Sequence, residues 1–83
     1  MLIRSPSELA LMVISQRKKL KLSQTDVAKR VGLKQQTVSA FENKPSSTKL
    51  ETLFYILSAV ELDMAALLKN ESLTVKKPWK EEW

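Results

Sequence analysis

Gln35 and Gln36 stand side by side after Lys34, in the stretch KQQTVSAFEN. A glutamine amide offers one acceptor oxygen and two N–H donors, so it can pair with an adenine edge through two hydrogen bonds. A lysine can reach guanine acceptors or a phosphate. These side chains could therefore contact DNA bases, or they could be ordinary solvated residues on a surface helix.

The residue types that usually carry catalysis are scarce. The 83 residues include no histidine and no cysteine. Their absence removes the commonest general base at neutral pH, thiolate metal sites and disulfides. Nine carboxylates are scattered along the chain, mostly beside lysines. We therefore expect neither an enzyme nor a bound metal or other cofactor.

Charge and hydropathy point to a basic, non-membrane protein. Fourteen Lys and Arg against nine Asp and Glu give a net charge of +5 and a pI near 9.7. This balance favours a polyanionic partner, although a lysine-rich solvated surface produces it too. The longest apolar run, LALMVI at 9–14, is too short to span a bilayer, and polar residues follow Arg4 where a signal peptide would be apolar. With the absent cysteines, this indicates a cytoplasmic protein.

The elements that position the polar side chains are predicted to be helices. The run SPSE at 5–8 is typical of a helix start, and this first helix should continue to about Lys19. Ser23 and Asp26 form the capping pattern of a second helix. Gly32 suits the left-handed position that ends it.

Two more helices follow. The third should cover about 34–43 and bury Val38 and Phe41. The segment KPSST is expected to be a loop, because Pro45 blocks helix propagation. The fourth helix should cover about 50–60. Its predicted apolar stripe consists of Leu50, Leu53, Ile56 and Leu57.

The C-terminal part divides into two segments. LDMAALLK, at 62–69, can form a short helix capped by Asp63, or a strand. From residue 70 the composition becomes charged and polar. We therefore expect one domain over 1–69 and a flexible tail over 70–83.

Two short helices joined through one glycine form the helix-turn-helix pattern. The second of them has polar side chains outside and apolar ones inside, the division that a recognition helix in the major groove requires. At the start of the preceding helix, Gln24 and Thr25 can hold a phosphate. Lys29, Lys44 and Lys49 could flank the groove or be solvated. The expected DNA-contacting residues are Gln24, Thr25, Lys34, Gln35, Gln36, Thr37, Ser39, Asn43 and Lys44.

The run LSQTDVAKRVGLKQQTVSAFEN resembles the helix-turn-helix core of the phage Cro/cI-type (XRE) repressors, and the likeness extends over about 9–69. It implies a lambda repressor-like five-helix bundle that binds palindromic operator DNA as a dimer. It also implies a structural ion pair between Arg17 and Glu42, which joins the first and third helices. Four residues fall on DNA-contacting positions of this family: Gln24, Gln35, Gln36 and Ser39.

Within that family the chain is similar to the HipB-type antitoxins of high-persistence toxin–antitoxin modules. The FEN-x-P loop, the segment ILSAVEL and the ending Glu82-Trp83 carry this likeness. It implies a homodimer that represses its own operon and binds a HipA-like serine/threonine kinase toxin, alone or with a further protein. In that group the segment matching 62–69 pairs with its dimer mate as a strand, whereas ordinary family members have a fifth helix there. The expected dimerisation residues are Leu62, Met64, Leu67 and Leu68.

Trp79 and Trp83 are the only tryptophans, and both lie in the predicted tail. Tryptophan is enriched in binding hot spots. In the HipB-type group a C-terminal tryptophan inserts into the kinase, so the likeness implies this role for Trp83, with folding back or exposure as the alternative. Trp79 has no counterpart.

The expected fold class is therefore all-α, a bundle of four to five helices that contains a helix-turn-helix. If the fifth helix does not form, the segment near 62–68 is expected to form one short intersubunit strand. The leading functional hypothesis is an antitoxin and autorepressor. A stand-alone phage-type repressor without a toxin is the alternative. A third hypothesis is a protein-interaction module that no longer binds DNA, but the basic and amide residues of the third helix argue against it.

Overall fold

The computed structural model of the protein describes residues 2–69. The four predicted helices are confirmed, each close to its predicted ends, and no strand occurs in this part of the chain. The predicted loop before the last helix contains one turn of 3-10 helix, Pro45–Ser47. The α-helices are α1 (Pro6–Lys19), α2 (Gln24–Val31), α3 (Gln35–Asn43) and α4 (Leu50–Ala59).

Side-chain caps begin the first two helices. The hydroxyl of Ser5 accepts a hydrogen bond from the Glu8 N–H at 3.1 Å. In α2, the Ser23 hydroxyl accepts from the Asp26 N–H at 3.0 Å, and the Asp26 carboxylate accepts from the Ser23 N–H at 2.9 Å. That backbone N–H, followed by the Ser23 hydroxyl, holds the pKa of Asp26 below its ordinary value. Gly32 ends α2 at a φ of 71°.

One apolar core fills the space between the helices. Val38 and Phe41, the predicted inner side of α3, are both buried. The predicted stripe of α4 is wrong at Leu50, which is 66% exposed. Leu50 lies within about 20° of the buried Leu57 around the helix, so its exposure comes from its place as the first residue of α4, about two turns before the buried residues. The core residues are Ala10, Val13, Val27, Ala28, Val38, Phe41, Ile56, Leu57, Ala59 and Val60.

Side chains from two other helices satisfy the C-terminal end of α4. Arg30 Nη1 donates to the Ala59 carbonyl at 3.0 Å, and Gln16 Nε2 donates to the Val60 carbonyl at 3.1 Å. The last carbonyls of a helix have no partner within it, so such donors stabilise its end. Both contacts join residues far apart in sequence, and the sequence did not predict them.

The fifth helix, one of the two alternatives for 62–69, does not form. Glu61 adopts a left-handed φ of 63°, and the Leu62 N–H donates to the Leu57 carbonyl at 2.9 Å, which turns the chain away from the axis of α4. Residues 62–68 then form neither helix nor strand. A helix over this segment would be too short to be stable without a partner to cover it. Leu62 packs against the core, whereas Met64, Leu67 and Leu68 are exposed.

Strand pairing of 62–68 with a second copy stays a prediction. The predicted tail at 70–83, with Trp79 and Trp83, lies outside the described residues. Across residues 2–69, the helices are all too short or too polar to cross a membrane.

Candidate nucleic-acid interface

The helix-turn-helix consists of α2, the turn at 32–34 and α3. Val27 and Ala28 of α2 and Val38 of α3 are buried in the core, which fixes the two helices against each other. The opposite side of α3 is open to solvent. A short helix seated in this way, with a polar outer face, has the arrangement of a recognition helix.

Three of the predicted contact residues form one stripe on α3. Gln35, Ser39 and Asn43 are spaced by four residues and therefore lie along the same side of the helix. Asn43 Nδ2 donates to Ser39 Oγ at 3.2 Å, which orders the C-terminal half of the stripe. Gln35 and Gln36, at the N-terminal end, are both exposed.

The ion pair implied by the family resemblance is present below this surface. Arg17 Nε donates to Glu42 Oε2 at 2.7 Å, and Arg17 Nη2 donates to Glu42 Oε1 at 3.0 Å. The side chains are only 13% and 6% exposed. Arg17 Nη1 also donates to the Leu22 carbonyl at 3.0 Å. This two-point pairing is geometrically specific, and it locks α1 to α3.

Gln24 extends that ion pair to the surface. Gln24 Nε2 donates to Glu42 Oε1 at 2.8 Å, and Gln35 Nε2 donates to Gln24 Oε1 at 2.6 Å. A carboxylate only accepts hydrogen bonds, so Gln24 must turn its NH₂ group toward Glu42 and its oxygen toward Gln35. Gln35 must then present its own NH₂ group. We call this chain, from Arg17 through Glu42 and Gln24 to Gln35, the polar relay.

The polar relay leaves hydrogen-bonding capacity free at its outer end. An amide NH₂ group has two hydrogens, and Gln35 uses one of them on Gln24. Its second N–H and its oxygen stay available, and these are the two groups that adenine recognition needs. Gln24 likewise uses one N–H on Glu42 and has a second. The sequence named both glutamines as contact residues but did not predict the hydrogen bond between them.

A shallow groove of about 370 Å³ lies between α3 and the start of α4. Two exposed lysines, Lys44 and Lys49, border it. Lysines and hydroxyls are the groups that hold a DNA phosphate without reading its sequence. The sequence did not single out Ser47, Thr48 and Thr52, whose hydroxyl-bearing side chains also line the groove. The groove is lined by Gln36, Thr37, Ala40, Lys44, Ser47, Thr48, Lys49 and Thr52.

The remaining predicted contacts surround α3. Thr25 and Lys34 are exposed, at the first turn of α2 and just before α3, and Thr37 is half-buried. Glu42 is paired with Arg17, so its negative charge is offset where the phosphates would approach.

Among residues 2–69 no group of three acidic side chains is placed to hold a metal ion.

The chain matches the family model described as helix-turn-helix over residues 13–67. That span includes α2, α3 and α4 entirely, together with the C-terminal part of α1. The chain therefore belongs to the helix-turn-helix family, of XRE type.

Two relatives of this chain are antitoxins. The chain is 39% identical to Antitoxin HipB of Escherichia coli over 82 residues, which cover 98% of this chain and 93% of that protein. It is 40% identical to Antitoxin HigA1 of Mycobacterium tuberculosis over 67 residues, which cover 81% of this chain and 45% of that protein. The identity over almost the whole length groups this chain with the HipB antitoxins.

Solved structures give the same grouping. A chain of the HipA-HipB-O2-O3 complex superimposes with a TM-score of 0.80 at 39% identity, covering 83% of this chain and 97% of that one. A chain of the HipB-O4 20mer complex superimposes with the same score, identity and coverage. The all-α fold is therefore the HipB fold over the shared part of the chain.

Proposed function

We propose that this protein is a non-catalytic, DNA-binding antitoxin that represses its own operon as a homodimer and binds a HipA-like serine/threonine kinase toxin. One observation carries the DNA-binding part. Gln35, at the exposed start of α3, is oriented by the polar relay and keeps one N–H and one oxygen free. The HipB relatives, solved with HipA and with a 20mer, support the antitoxin part.

DNA recognition would use two kinds of contact. In the major groove, Gln35 and Gln36 would pair with adenine edges, each good bidentate pair giving about 1–3 kcal/mol of discrimination. Lys34 would reach a guanine or a phosphate. Outside the groove, Gln24 and Thr25 would bind one phosphate. Lys44, Lys49 and the neighbouring hydroxyls would bind another, so binding would weaken steeply with salt.

The dimer would set the spacing of the operator. Two α3 helices related by a two-fold axis predict inverted half-sites about one helical turn apart. Leu62 is half-buried, and Met64, Leu67 and Leu68 offer exposed apolar surface for this contact. Because its partners would be the operator and a kinase toxin, we place the protein in the cytoplasm.

A footprint on the DNA upstream of the protein's own gene, at fixed salt, tests the DNA-binding part. The double variant Gln35→Ala, Gln36→Ala should lose discrimination between the operator and a scrambled sequence. Lys44→Ala is the matched control, because loss of a phosphate contact should weaken binding to both sequences about equally. Wild-type discrimination by the double variant would refute the base-contact assignment.

The kinase part needs its own experiment. We propose Trp83, outside the described residues, as the anchor for the toxin. Pull-down of the kinase encoded beside this gene, with the full chain and with a chain lacking Trp83, would measure that contribution. Unchanged kinase affinity without Trp83 would exclude the anchor.

A stand-alone repressor is the second candidate function. It rests on the family match alone, which covers residues 13–67, whereas the similarity to Antitoxin HipB extends over 82 residues. Absence of a kinase-like neighbouring gene, with operator binding retained, would favour it.

A further inference from the structure

The turn between α1 and α2 has a backbone conformation that lysine rarely adopts. Lys21 has a φ of 61°, in the left-handed region. Its N–H donates to the Lys18 carbonyl at 2.9 Å, and the Leu22 N–H donates to the Arg17 carbonyl at 3.0 Å. These two hydrogen bonds form a Schellman motif, which usually has glycine at the left-handed position because a Cβ is unfavourable there. Lys21 is therefore strained where a glycine would not be.

The packing of its own side chain does not explain this strain, because Lys21 is exposed. Residues held in sparsely populated backbone regions cluster at sites that bind ligands. An exposed lysine in such a conformation therefore indicates a contact that its side chain makes with a partner.

The turn lies at the end of the helix-turn-helix that faces DNA in the proposed function. Arg17, near the end of α1, pairs with Glu42 of α3, and Gln24, at the start of α2, donates to the same carboxylate. The turn joins these two points. Three residues span at most about 11 Å, so Lys21 lies within that distance of Gln24, beside the proposed phosphate site.

The lysines at the end of α1 lie on different sides of the helix. At 100° per residue, Lys19 lies about 60° from Gln16 and about 160° from Arg17. Gln16 contacts the end of α4, whereas Arg17 contacts α3. Lys18 lies about 160° from Gln16 and about 100° from Arg17, so it is nearer to the α3 side than Lys19 is. We call Lys18 and Lys21 the lysine pair.

The charges around the lysine pair favour DNA as its partner. Both lysines are exposed. The two carboxylates of α2 and α3 have other partners, since Asp26 caps its own helix and Glu42 pairs with Arg17. Duplex DNA carries one negative charge per about 1.7 Å of its axis, and lysine neutralises phosphates without reading the sequence. The lysine pair therefore adds positive charge beside the proposed phosphate site.

We propose that the lysine pair is a further contact to the DNA backbone, on the phosphate next to the one assigned to Gln24 and Thr25. This inference rests on the DNA-binding part of the proposed function and adds the turn between α1 and α2 to the interface. The contact uses the exposed ammonium of Lys21 and accounts for a lysine at a left-handed position. It strengthens binding to any DNA sequence and makes binding more dependent on salt.

Fluorescence anisotropy of the full chain across a range of salt concentrations tests the proposal. The probes are a duplex of the DNA upstream of the protein's own gene and a scrambled duplex of the same length. Lys21→Gln should lower the slope of log Kd against log salt by about 1.8 on both duplexes, because each subunit of the dimer loses one phosphate contact at about 0.9. Lys19→Gln is the matched control, since it removes the same charge on the other side of α1. Its slope should change by less than about 0.9, the value of one contact.

The variant Lys21→Gly separates a DNA contact from a structural role. Glycine relieves the strained φ, so the urea midpoint measured by circular dichroism should rise above that of the wild type. The salt slope should nevertheless fall as it does in Lys21→Gln, whereas Lys21→Arg, which keeps the charge, should retain the wild-type slope. If Lys21 were only structural, Lys21→Gly would bind DNA at least as tightly as the wild type.

The outcomes distinguish this inference from the proposed function. Equal salt slopes for Lys21→Gln and Lys19→Gln would overturn the inference. If Lys21→Gln keeps the wild-type slope but weakens the pull-down of the kinase encoded beside the gene, the lysine pair belongs to the kinase and the inference fails. If the wild type binds both duplexes equally and Lys21→Gln still lowers the slope, the inference stands and the proposed operator recognition fails. A wild type that binds neither duplex overturns both.

Discussion

Replacing Glu42 by glutamine should destabilise the fold far more than the loss of one charge at the surface. Oε2 of Glu42 faces Arg17 Nε, and Oε1 faces both Arg17 Nη2 and Gln24 Nε2. Whichever way the new amide turns, its NH₂ group points at an Arg17 donor. The variant therefore loses a hydrogen bond and leaves a guanidinium that is only 13% exposed without its counter-charge.

The magnitude follows from these contacts. Breaking a buried ion pair from one side costs about 3–5 kcal/mol. We expect the low end, about 3 kcal/mol, because Arg17 keeps its hydrogen bond to the Leu22 carbonyl and a small exposed area. For a domain of this size each kcal/mol lowers Tm by about 4–8 °C, so the Tm should fall by roughly 12–24 °C.

Thermal and urea unfolding followed by circular dichroism measures this loss. The matched control is Glu61→Gln, because Glu61 contacts Arg30 at 3.4 Å with both side chains largely exposed, at 61% and 44%. An exposed pair contributes about 0–1 kcal/mol. If Glu42→Gln and Glu61→Gln lower the free energy of unfolding by the same amount, the buried role of Glu42 is refuted.

Three further outcomes are expected. Gln24→Ala should leave the helical signal intact but reduce operator affinity about tenfold at fixed salt, because Gln35 loses its orienting acceptor and one proposed phosphate contact disappears. Fluorescence anisotropy measures the affinity, and a wild-type value would contradict this prediction. Asp26→Asn should destabilise α2 above the ordinary aspartate pKa of about 3.9. Because the folded-state pKa of Asp26 is lowered, its carboxylate stabilises the fold above the ordinary pKa, and this stabilisation disappears as pH falls through the folded-state pKa. The free energies of unfolding of the two proteins in urea should therefore converge at low pH. A difference that does not change with pH would exclude the effect. Gly32→Ala should lower the free energy of unfolding in urea by about 1 kcal/mol, because φ at this position is 71°. The added Cβ itself would meet open space. Gly32→Asn should lower the free energy of unfolding by less, and equal losses would show that φ is not the cause.

Local chemistry explains most of what the sequence predicted correctly. Ser5, Ser23 with Asp26, and Gly32 act within one or two turns of their own helices, so their positions alone indicate where α1 and α2 begin and where α2 ends. The outward placement of Gln35 and Gln36 followed from the helical period in the same way.

The errors and omissions concern contacts between distant residues. Leu50 fits the apolar period of α4, but it is the first residue of the helix, and the core lies beside the second half, where α4 packs against α2. Residues 62–68 have helix-forming composition, but Glu61 turns the chain and no neighbour covers a fifth helix. The hydrogen bond between Gln24 and Gln35 joins two helices whose separation the sequence does not specify.

The polar relay also bears on how operator preference could diverge among related repressors. Gln35 is hydrogen-bonded through Gln24 to Glu42, so a change at Gln35 would alter the polar relay as well as the proposed base contact. The hydrogen bonds of the polar relay do not include the side chain of Gln36. A substitution at position 36 therefore leaves the polar relay intact, whereas one at position 35 removes its outermost hydrogen bond. Paralogous systems in one cell would acquire separate operators most readily through position 36.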